Sequence, residues 1–323
     1  MKLLGLACGR RMGNSEILLR EALMGAEETR KDVEVEILRM VDLDIKPCRG
    51  CKVCLRFQGG LKACVLKDDT AFFYDTFMDS DGLIIAAPVW TLTPPGYLIH
   101  ARDRALGPFS DVAGHLMRRE MQGSDEGMDK RVFKNRAGGY ISVGGAPLLN
   151  WVSLGLPLIH TVTFSPNVAV VDQMQVLKAN EQIGSVLLNN RAIERARRLG
   201  CRVAEAMGKP LEAMKFVGDE PGMCPVCHLD LMVVRGDSTV ECAICGVKGN
   251  VKLDGGKVTV VFSEEEQKKS RLTIEGKRIH MREIMETRQE LLPRYGEIPA
   301  KMKKYTSYIT PIKPPSKTRR KSK

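Results

Sequence analysis

The first two hundred residues alternate between short apolar runs and longer segments in which apolar positions recur at helical spacing. Five strands are predicted by the runs KLLGLAC, VEVEILRM, GLIIAAPV, GGYISVGG and VAVVDQMQV. Helices are predicted by NSEILLREALMGAEET, DDTAFFYDTFMDS and GYLIHARDRAL, and a long final helix is predicted from Glu181 to Met207. Because strands with nearly continuous apolar character alternate with helices, the pattern indicates a parallel sheet covered on both faces.

This α/β pattern also indicates where a ligand would bind. Five strands with five connections predict a flavodoxin-like, doubly wound order for residues 1–212. Ligands of such sheets bind beyond the carboxyl ends of the strands, so the candidate loops follow Ala7, Val89 and Val143. A cysteine-rich loop, residues 47–69, also leaves the carboxyl end of a predicted strand.

The pattern changes after the segment GDEPGM. Short alternating strands and turn glycines over residues 219–262 predict a small β module, with a hairpin turn at DGGK. Ser263 followed by Glu266 forms a capping-box signature, which predicts a charged helix that continues to about Leu292. We therefore expect a helical region over 263–298 and a basic, flexible tail over 299–323.

Ten cysteines are present, and eight of them fall into two clusters. No apolar run has the form of a signal peptide or the length of a membrane span, so we expect a cytoplasmic protein with reduced thiols. Clustered reduced cysteines are typical of metal sites. The candidate ligands are Cys48, Cys51, Cys54 and Cys64 in the first cluster and Cys224, Cys227, Cys242 and Cys245 in the second.

The second cluster has the spacing C-x2-C-x14-C-x2-C. Two knuckles that offer two thiolates each complete a tetrahedron, which favours a structural zinc ion. A rubredoxin-like iron site is the alternative, because CPVC and CAICG resemble rubredoxin knuckles. We interpret the adjacent His228 as a surface residue, since four thiolates already fill the coordination shell.

The positive charge is concentrated at the C-terminus. The net charge is +11, and residues 301–323 contain seven lysines, two arginines and no acidic residue. This tail therefore holds +9 and the rest of the chain only +2, so the body is nearly neutral. We expect a solubilising arm, with nucleic acid or an anionic surface as the less favoured partner.

The first candidate loop, CGRRMGNS, joins a predicted strand to a helix N-terminus. Free backbone N–H groups and the helix dipole favour an anion at such a position. Arg10 and Arg11 add positive charge, while Asn14 and Ser15 add short polar donors. The loop has neither the lysine of a P-loop nor the G-x-G-x-x-G of a dinucleotide site, so alone it indicates only a capped turn or an anion site.

The second candidate loop lies in APVWTLTPPGYLIHARDR, which resembles a segment of the NADPH-dependent FMN reductases. That family has a proline-hydrophobic-aromatic turn followed by a Pro-x-x-Leu helix that ends in Asp-Arg. The matching residues here are Pro88, Val89, Trp90, Pro95, Leu98, Asp103 and Arg104. The first loop is similar to the family's phosphate loop at Arg10, Gly13, Asn14 and Ser15, while Cys8 and Ala7 replace a serine and a glycine. SVGGAP supplies the third loop, and the resemblance covers residues 1–207.

The resemblance implies an FMN-dependent oxidoreductase that uses NAD(P)H or another donor and assembles as a homodimer or tetramer. It places the FMN phosphate on the first loop and the flavin ring against the other two loops, with Trp90 either stacked on the ring or packed in the core. Flavin chemistry needs no acid–base side chain, and none is assigned. The candidate cofactor-binding residues are Cys8, Arg10, Arg11, Gly13, Asn14, Ser15, Pro88, Val89, Trp90, Thr91, Leu92, Thr93, Gly144 and Gly145.

The first cysteine cluster has the spacing C-x2-C-x2-C, and Cys64 supplies a fourth sulfur. Bacterial ferredoxins place three thiolates around one tight turn in this way. A four-cysteine loop in a flavodoxin-like domain resembles the iron–sulfur flavoproteins, which implies a [4Fe–4S] cluster near FMN. The predicted function is electron transfer from NAD(P)H or another donor, through FMN and the cluster, to a redox partner protein or a small-molecule acceptor.

Two alternatives stay open. A cluster-free enzyme would keep FMN and reduce quinones or other small acceptors. A non-catalytic interaction protein would use the zinc module and the basic tail to bind nucleic acid or a partner enzyme. Iron and sulfide content separates the first alternative from the main hypothesis, and salt-sensitive binding that depends on residues 301–323 would identify the second.

Overall fold

The structure is a computed structural model that describes residues 1–56, 60–180, 182–306, 308–310 and 312. It divides into two compact units, Met1–Arg278 and Ile279–Lys323. The strands are β1 Lys2–Ala7, β2 Glu34–Arg39, β3 Gly82–Pro88, β4 Arg136–Val143, β5 Val168–Val176, β6 Met232–Val234, β7 Thr239–Cys242, β8 Lys248–Asp254 and β9 Lys257–Val261. The α-helices are α1 Asn14–Thr29, α2 Val53–Arg56, α3 Thr70–Asp79, α4 Gly96–Ala101, α5 Gly107–Phe109, α6 Val112–Gln122, α7 Gly155–Val162, α8 Asn190–Ala206, α9 Glu264–Lys268, α10 Ile274–Leu291 and α11 Ile298–Thr306.

The first five strands form one parallel sheet in the order β2-β1-β3-β4-β5. This is the flavodoxin-like order, and it confirms the predicted fold class. Strands β3 and β4 are buried almost throughout, because helices cover both faces of the sheet. The carboxyl ends of β1, β3 and β4 consequently lie side by side at one edge of the fold.

The two faces of the sheet carry separate apolar layers. Leu3 of β1 packs in the layer that contains α1 and α8, while Leu4 and Leu6 pack in the layer that contains α3 and α4. Helices α1 and α8 approach so closely that a Cβ on Gly200 would overlap the backbone of Ala22. The alternation of side chains along β1 thus builds both layers from one apolar run.

The predicted helix from Glu181 to Met207 is too long. Helix α8 begins at Asn190, because the side chain of Asn189 caps it by accepting a hydrogen bond from the Ala192 N–H at 3.1 Å. The segment before the cap is a 3-10 turn over Ser185–Leu188. Helices α6 and α7 were not predicted, and α7 is short and contains proline within its first turn.

The four short strands form an antiparallel sheet in the order β6-β7-β8-β9, as expected for the small module. Its last hairpin turns at Gly255 and Gly256, whose φ angles of 54° and 80° confirm the turn predicted at DGGK. The predicted continuous helix after Ser263 is wrong, because α9 ends at Lys268. The chain turns there since the Arg271 N–H and the Ser270 hydroxyl both donate to the Cys245 carbonyl, at 2.9 Å and 3.2 Å.

The small sheet is attached to the edge strand β5. Val217 donates its N–H to the Val171 carbonyl at 2.8 Å, and the Gln173 side chain donates to the His228 carbonyl at 2.5 Å. The His228 ring stacks on Phe216 with centroids 3.8 Å apart. His228 is therefore half-buried at this junction and is not the surface residue that was predicted, and its burial lowers its pKa to about 4.

The C-terminal unit is helical over most of its described part. Helix α10 continues through a 3-10 segment, Leu292–Glu297, into α11. The segment predicted to be a flexible tail therefore begins with a helix, while its residues 313–323 lie outside the described residues. Among the helices of the described residues, none is long and apolar enough to cross a membrane.

Candidate functional site

The loops after β1, β3 and β4 line most of an open cavity of about 690 Å³. Most of the predicted cofactor-binding residues line it, namely Arg10, Gly13, Asn14, Ser15, Pro88, Val89, Trp90, Thr91, Leu92 and Gly145. The predicted residues that do not line it are Cys8, Arg11, Thr93 and Gly144. Its lining also includes residues that were not predicted, namely Val143, Ala146, Trp151, Val152, Ala179 and Asn180.

The first loop presents the N-terminus of α1 to this cavity. Gly13 is the N-cap residue, and its N–H closes a tight turn on the Arg10 carbonyl at 2.9 Å. Met12 takes a left-handed conformation at φ 52°, which is uncommon for a residue with a side chain. Free N–H groups at the first turn of a 16-residue helix, with Arg10 beside them, make this end of the cavity suitable for an anion.

Glu16 holds this loop in place, a role that was not predicted from the sequence. Its carboxylate is almost fully buried and accepts hydrogen bonds from the Met12 N–H at 3.0 Å and from the Arg20 and Arg39 guanidinium groups. Burial opposes ionisation, but the bonds from Arg39, Met12 and Arg20 outweigh it and lower the pKa of Glu16 to about 2. An acidic residue in the first turn, four positions before an arginine, was the available sequence signal.

Asn14 connects the first loop to the segment between β5 and α8. Its amide donates to the Asn180 carbonyl and to the Ser185 hydroxyl, both at 3.0 Å, and its oxygen accepts from the Val186 N–H at 3.3 Å. These bonds bring Asn180 to the cavity wall. The Asn14 side chain therefore shapes the cavity by positioning a neighbouring segment.

The second loop leaves β3 and folds back on itself. Val89 donates its N–H to the Val143 carbonyl at 2.8 Å, and Leu92 takes a left-handed φ of 63°. Trp90 is 58% exposed and lines the cavity, so it does not pack in the core. Trp151, from the segment after β4, is also 58% exposed and lines the same cavity. Two indole rings are therefore available to a planar ligand.

Cys8 and Gly144 serve the packing of the fold. Cys8 is fully buried in the apolar layer that contains α3, and this burial raises the pKa of its thiol. A Cβ on Gly144 would overlap the Val152 side chain, so this glycine permits the packing of the third loop. Gly145 is the glycine that lines the cavity.

The lining fits FMN at both ends. Arg10 and the α1 N-terminus suit a phosphate, while Trp90, Val89 and Val152 offer apolar surface to a flat ring. Among the residues that the structure describes, the lining contains no histidine and no carboxylate. The cavity can therefore bind and orient an anionic, planar cofactor, and its lining side chains offer no acid–base group near neutral pH.

The second cysteine cluster forms a candidate metal centre. The Sγ atoms of Cys224, Cys227, Cys242 and Cys245 all lie within 4.8 Å of one another, and all four side chains are buried. Cys224 and Cys245 have their sulfur atoms 3.4 Å apart, as do Cys227 and Cys242. Four sulfur donors converging from two knuckles suit a tetrahedral metal ion.

The first cysteine cluster is not gathered in the same way. Within the described part of the chain, the second cluster is the one group of side chains close enough to hold a metal ion. Cys48 and Cys51 are exposed, and residues 57–59 between Cys54 and Cys64 lie outside the described residues. The Cys64 sulfur accepts a hydrogen bond at 3.3 Å from Arg104, which also forms a buried ion pair with Asp68.

The family model for NADPH-dependent FMN reductase matches residues 1–152. The chain is 33% identical over 290 residues to a flavone synthase, cfoJ, of Aspergillus candidus, which covers 88% of each chain. It is 30% identical over 147 residues to an iron-sulfur flavoprotein of Methanosarcina thermophila, covering 45% of this chain and 64% of the relative.

A solved structure of a flavone reductase is similar at a TM-score of 0.79 and 26% identity, covering 98% of this chain and all of that one. The structural similarity therefore extends beyond the flavodoxin-like domain to the small β module and the C-terminal helices. The family model spans the strands and the loops that build most of the cavity wall. The chain therefore belongs to the NADPH-dependent FMN reductase family and is a flavodoxin-like, FMN-dependent oxidoreductase.

Proposed function

We propose that this oxidoreductase interconverts a flavone-type ring ketone and its reduced form, with the NAD(P)H/NAD(P)⁺ couple as the source or acceptor of electrons. The observation that carries the proposal is a cavity with an anion-binding turn at one end and two exposed tryptophans in its lining. Relatives named for flavone synthesis and flavone reduction resemble this chain over nearly its whole length. A flavone is planar and aromatic, and the two indole rings in the lining favour a ligand of this shape.

FMN bound in this cavity supplies reversible two-electron hydride chemistry. The Arg10 side chain and the backbone N–H groups of Asn14 and Ser15 would hold its phosphate. The backbone of residues 88–92 and Gly145 would support the ring, while Trp90 and Trp151 would orient the substrate.

In the reductive direction, the substrate gains one hydride and one proton. The carbon–carbon double bond conjugated to the substrate carbonyl becomes a single bond, as its β-carbon gains a hydride and its α-carbon gains a proton. NAD(P)H is oxidised to NAD(P)⁺ and supplies both electrons. No acid lines the described part of the cavity, so the proton comes from water.

The test is anaerobic turnover by the FMN-loaded chain, with flavone or the corresponding flavanone and with NADPH, NADH or their oxidised forms. We expect stoichiometric conversion of one ring ketone into the other, followed by chromatography. The proposal fails if the loaded chain oxidises NAD(P)H with quinones or oxygen but leaves both ring ketones unchanged.

A second candidate function includes a [4Fe–4S] cluster on Cys48, Cys51, Cys54 and Cys64. Its support is the C-x2-C-x2-C spacing, the likeness to iron-sulfur flavoproteins, and the hydrogen bond from Arg104 to Cys64. Electrons would then leave FMN singly for a partner protein. Anaerobic purification decides it, because about four irons and four sulfides per chain are expected with the cluster, and neither is expected without it.

We also propose a structural zinc ion in the second cluster. Its four buried thiolates leave no open position for a substrate, as in structural rather than catalytic zinc sites. Metal analysis should give one zinc per chain. One iron instead, with a rubredoxin-like absorption spectrum, would support the electron-transfer alternative.

The large apolar side chains near the cavity suggest that the flavodoxin-like domain self-associates. Trp90, Leu92 and Trp151 line the cavity, and each is between 43% and 58% exposed. Clustered exposed apolar residues are typical of interfaces. We propose a homodimer that covers this surface, which sedimentation of the FMN-loaded chain would test by its mass.

A further inference from the structure

A second open cavity, of about 390 Å³, lies between the flavodoxin-like domain and the small β module. Its lining comes on one side from the segment after α4 and the end of α7, and on the other side from the module, where Ala243 and Ile244 contribute. We name it the junction cavity. Among the described residues, none lines both this cavity and the one at the carboxyl ends of the strands. Its volume is typical of sites that bind small molecules.

The flavodoxin-like domain places one arginine in the lining of the junction cavity. Arg102 begins a π-helical turn, Arg102–Leu106, which continues α4, and such turns often occur at functional sites. Its Nε donates to the Asp103 carboxylate at 2.8 Å and its Nη1 to the Thr161 hydroxyl at 2.9 Å. Since a guanidinium has five N–H groups, these bonds orient Arg102 and leave donors for a ligand.

The small module places a second arginine in the same lining. The backbone of Arg271 is fixed by its hydrogen bond to the Cys245 carbonyl at 2.9 Å. Its side chain approaches the Glu241 carboxylate only to 3.5 Å, and Glu241 pairs more closely with Arg235, at 2.7 Å. The positive charge of Arg271 is therefore only partly compensated.

A buried lysine lies next to the wall of the junction cavity. Lys277 is 4% exposed, donates to the Ser165 carbonyl at 3.1 Å and lies 5.9 Å from the centre of the Phe164 ring. Ser165 and Phe164 both line the cavity. Burial lowers the pKa of Lys277 to about 8, so most of it is charged at pH 7, and within the described part of the chain it forms no ion pair. Because a buried charge without a partner is costly, an anion in the cavity would stabilise it.

The remaining lining is largely apolar and adds little charge. Asp103 is the one carboxylate among the described residues of the lining. Burial lowers the pKa of His160 to about 4, so its ring is neutral at pH 7. Apolar surface comes from Phe164, Ile244 and Leu272. Two arginines against one carboxylate favour an anionic ligand, and the apolar surface favours one with a hydrocarbon body.

We propose that the junction cavity binds a planar aromatic carboxylate. The carboxylate accepts hydrogen bonds from the guanidinium groups of Arg102 and Arg271, which reach it from the two sides of the cavity. The aromatic body packs against Phe164 and the aliphatic side chains beside it. This site is separate from the proposed flavone site and does not depend on that function.

Isothermal titration of the full-length, FMN-loaded chain tests the proposal, with 2-naphthoate as the probe. Two matched compounds separate the contributions, because 2-naphthylmethanol keeps the rings without the charge and acetate keeps the charge without the rings. We expect one 2-naphthoate per chain, bound at least about tenfold more tightly than either compound. Absence of saturable binding, or affinity for 2-naphthylmethanol or acetate equal to that for 2-naphthoate, overturns the proposal.

Variants locate the bound probe. Arg271→Met should weaken 2-naphthoate binding about tenfold and leave 2-naphthylmethanol binding unchanged. Ala243→Leu adds volume to the cavity wall and should weaken the binding of both compounds. Arg118→Met is the control, because Arg118 is exposed on α6 and does not line the cavity.

FMN content and melting temperature of each variant should match the wild type, which separates lost binding from lost folding. Unchanged 2-naphthoate affinity in both Arg271→Met and Ala243→Leu overturns the proposal, and so does an equal loss in Arg118→Met. Binding that is instead lost in Trp90→Ala would place the probe in the other cavity and would also overturn it.

Discussion

Replacing Glu16 by glutamine should show how strongly the turn before α1 depends on one carboxylate. Glu16 is 1% exposed and receives hydrogen bonds from the backbone of Met12 and from two arginines. Its pKa falls from 4.5 to about 2 on folding. Since a tenfold change in proton affinity is worth about 1.4 kcal/mol, the charged form stabilises the native state by about 3 kcal/mol.

The stabilisation of the native state by the Glu16 carboxylate should decrease as the pH falls. A carboxyl group whose pKa is lowered on folding contributes its full stabilisation above the unfolded pKa and loses it as the pH falls through the folded pKa. The wild type should therefore exceed Glu16→Gln in unfolding free energy by about 3 kcal/mol at pH 7. The difference should persist to near pH 5, fall by half near pH 3, and vanish near pH 2.

The assay is urea denaturation of both chains, followed by circular dichroism across this pH range. Glu36→Gln is the control, because Glu36 forms an exposed pair with Lys2 at 3.4 Å and should change the unfolding free energy by less than about 0.5 kcal/mol. FMN affinity should also fall for Glu16→Gln, since Met12 loses its anchor. A difference between Glu16→Gln and wild type below about 1 kcal/mol at pH 7, or one independent of pH, would refute the reasoning.

Three further outcomes are expected. Gly200→Ala should lower the unfolding free energy by about 1–3 kcal/mol in thermal melts, because its Cβ would overlap the Ala22 backbone, whereas Gly114→Ala has room and should not destabilise. Unchanged melting of Gly200→Ala would contradict the close packing of α1 and α8. Trp90→Ala should weaken flavone binding to the FMN-loaded chain about tenfold, an effect of about 1.4 kcal/mol, measured by fluorescence titration. Equal flavone affinity of the variant and the wild type would show that Trp90 does not contribute to flavone binding. Cys242→Ser should reduce the bound zinc and raise hydrogen exchange in the small sheet, and retention of one tightly held zinc would argue against a four-thiolate centre.

The sheet and its binding edge could be predicted because they follow from local patterns. Apolar runs separated by helices leave few topologies, and the carboxyl ends of β1, β3 and β4 must then meet. The second cysteine cluster could also be predicted from the sequence, because two C-x2-C knuckles place four sulfur atoms around one metal ion. The location of the Trp90 side chain could not be predicted from the sequence, because a tryptophan after a buried strand can pack in the core or line a cavity.

What the sequence did not predict depends on contacts between distant segments. Helix α8 starts late because Asn14, more than 160 residues earlier, fixes the preceding turn through Ser185 and Val186. Arg39 reaches Glu16 of α1 from the end of β2. The break after α9 is fixed by the Cys245 carbonyl. Periodicity within one segment contains no information on such partners, so element types were predicted more reliably than their ends.

The composition of the cavity bears on the direction of the proposed reaction. Its described lining provides an anion site, aromatic faces and backbone groups, but no carboxylate or histidine that would favour proton donation over proton abstraction. Under the proposed function, the side chains stabilise the bound partners in either direction, and the direction follows from the redox potential of the couple and the supply of substrate. Relatives of this chain are named for flavone synthesis and for flavone reduction, which agrees with a proposed site that favours neither direction. The same chain should therefore run both ways when the NADPH to NADP⁺ ratio is inverted, with the same Trp90 dependence in each direction.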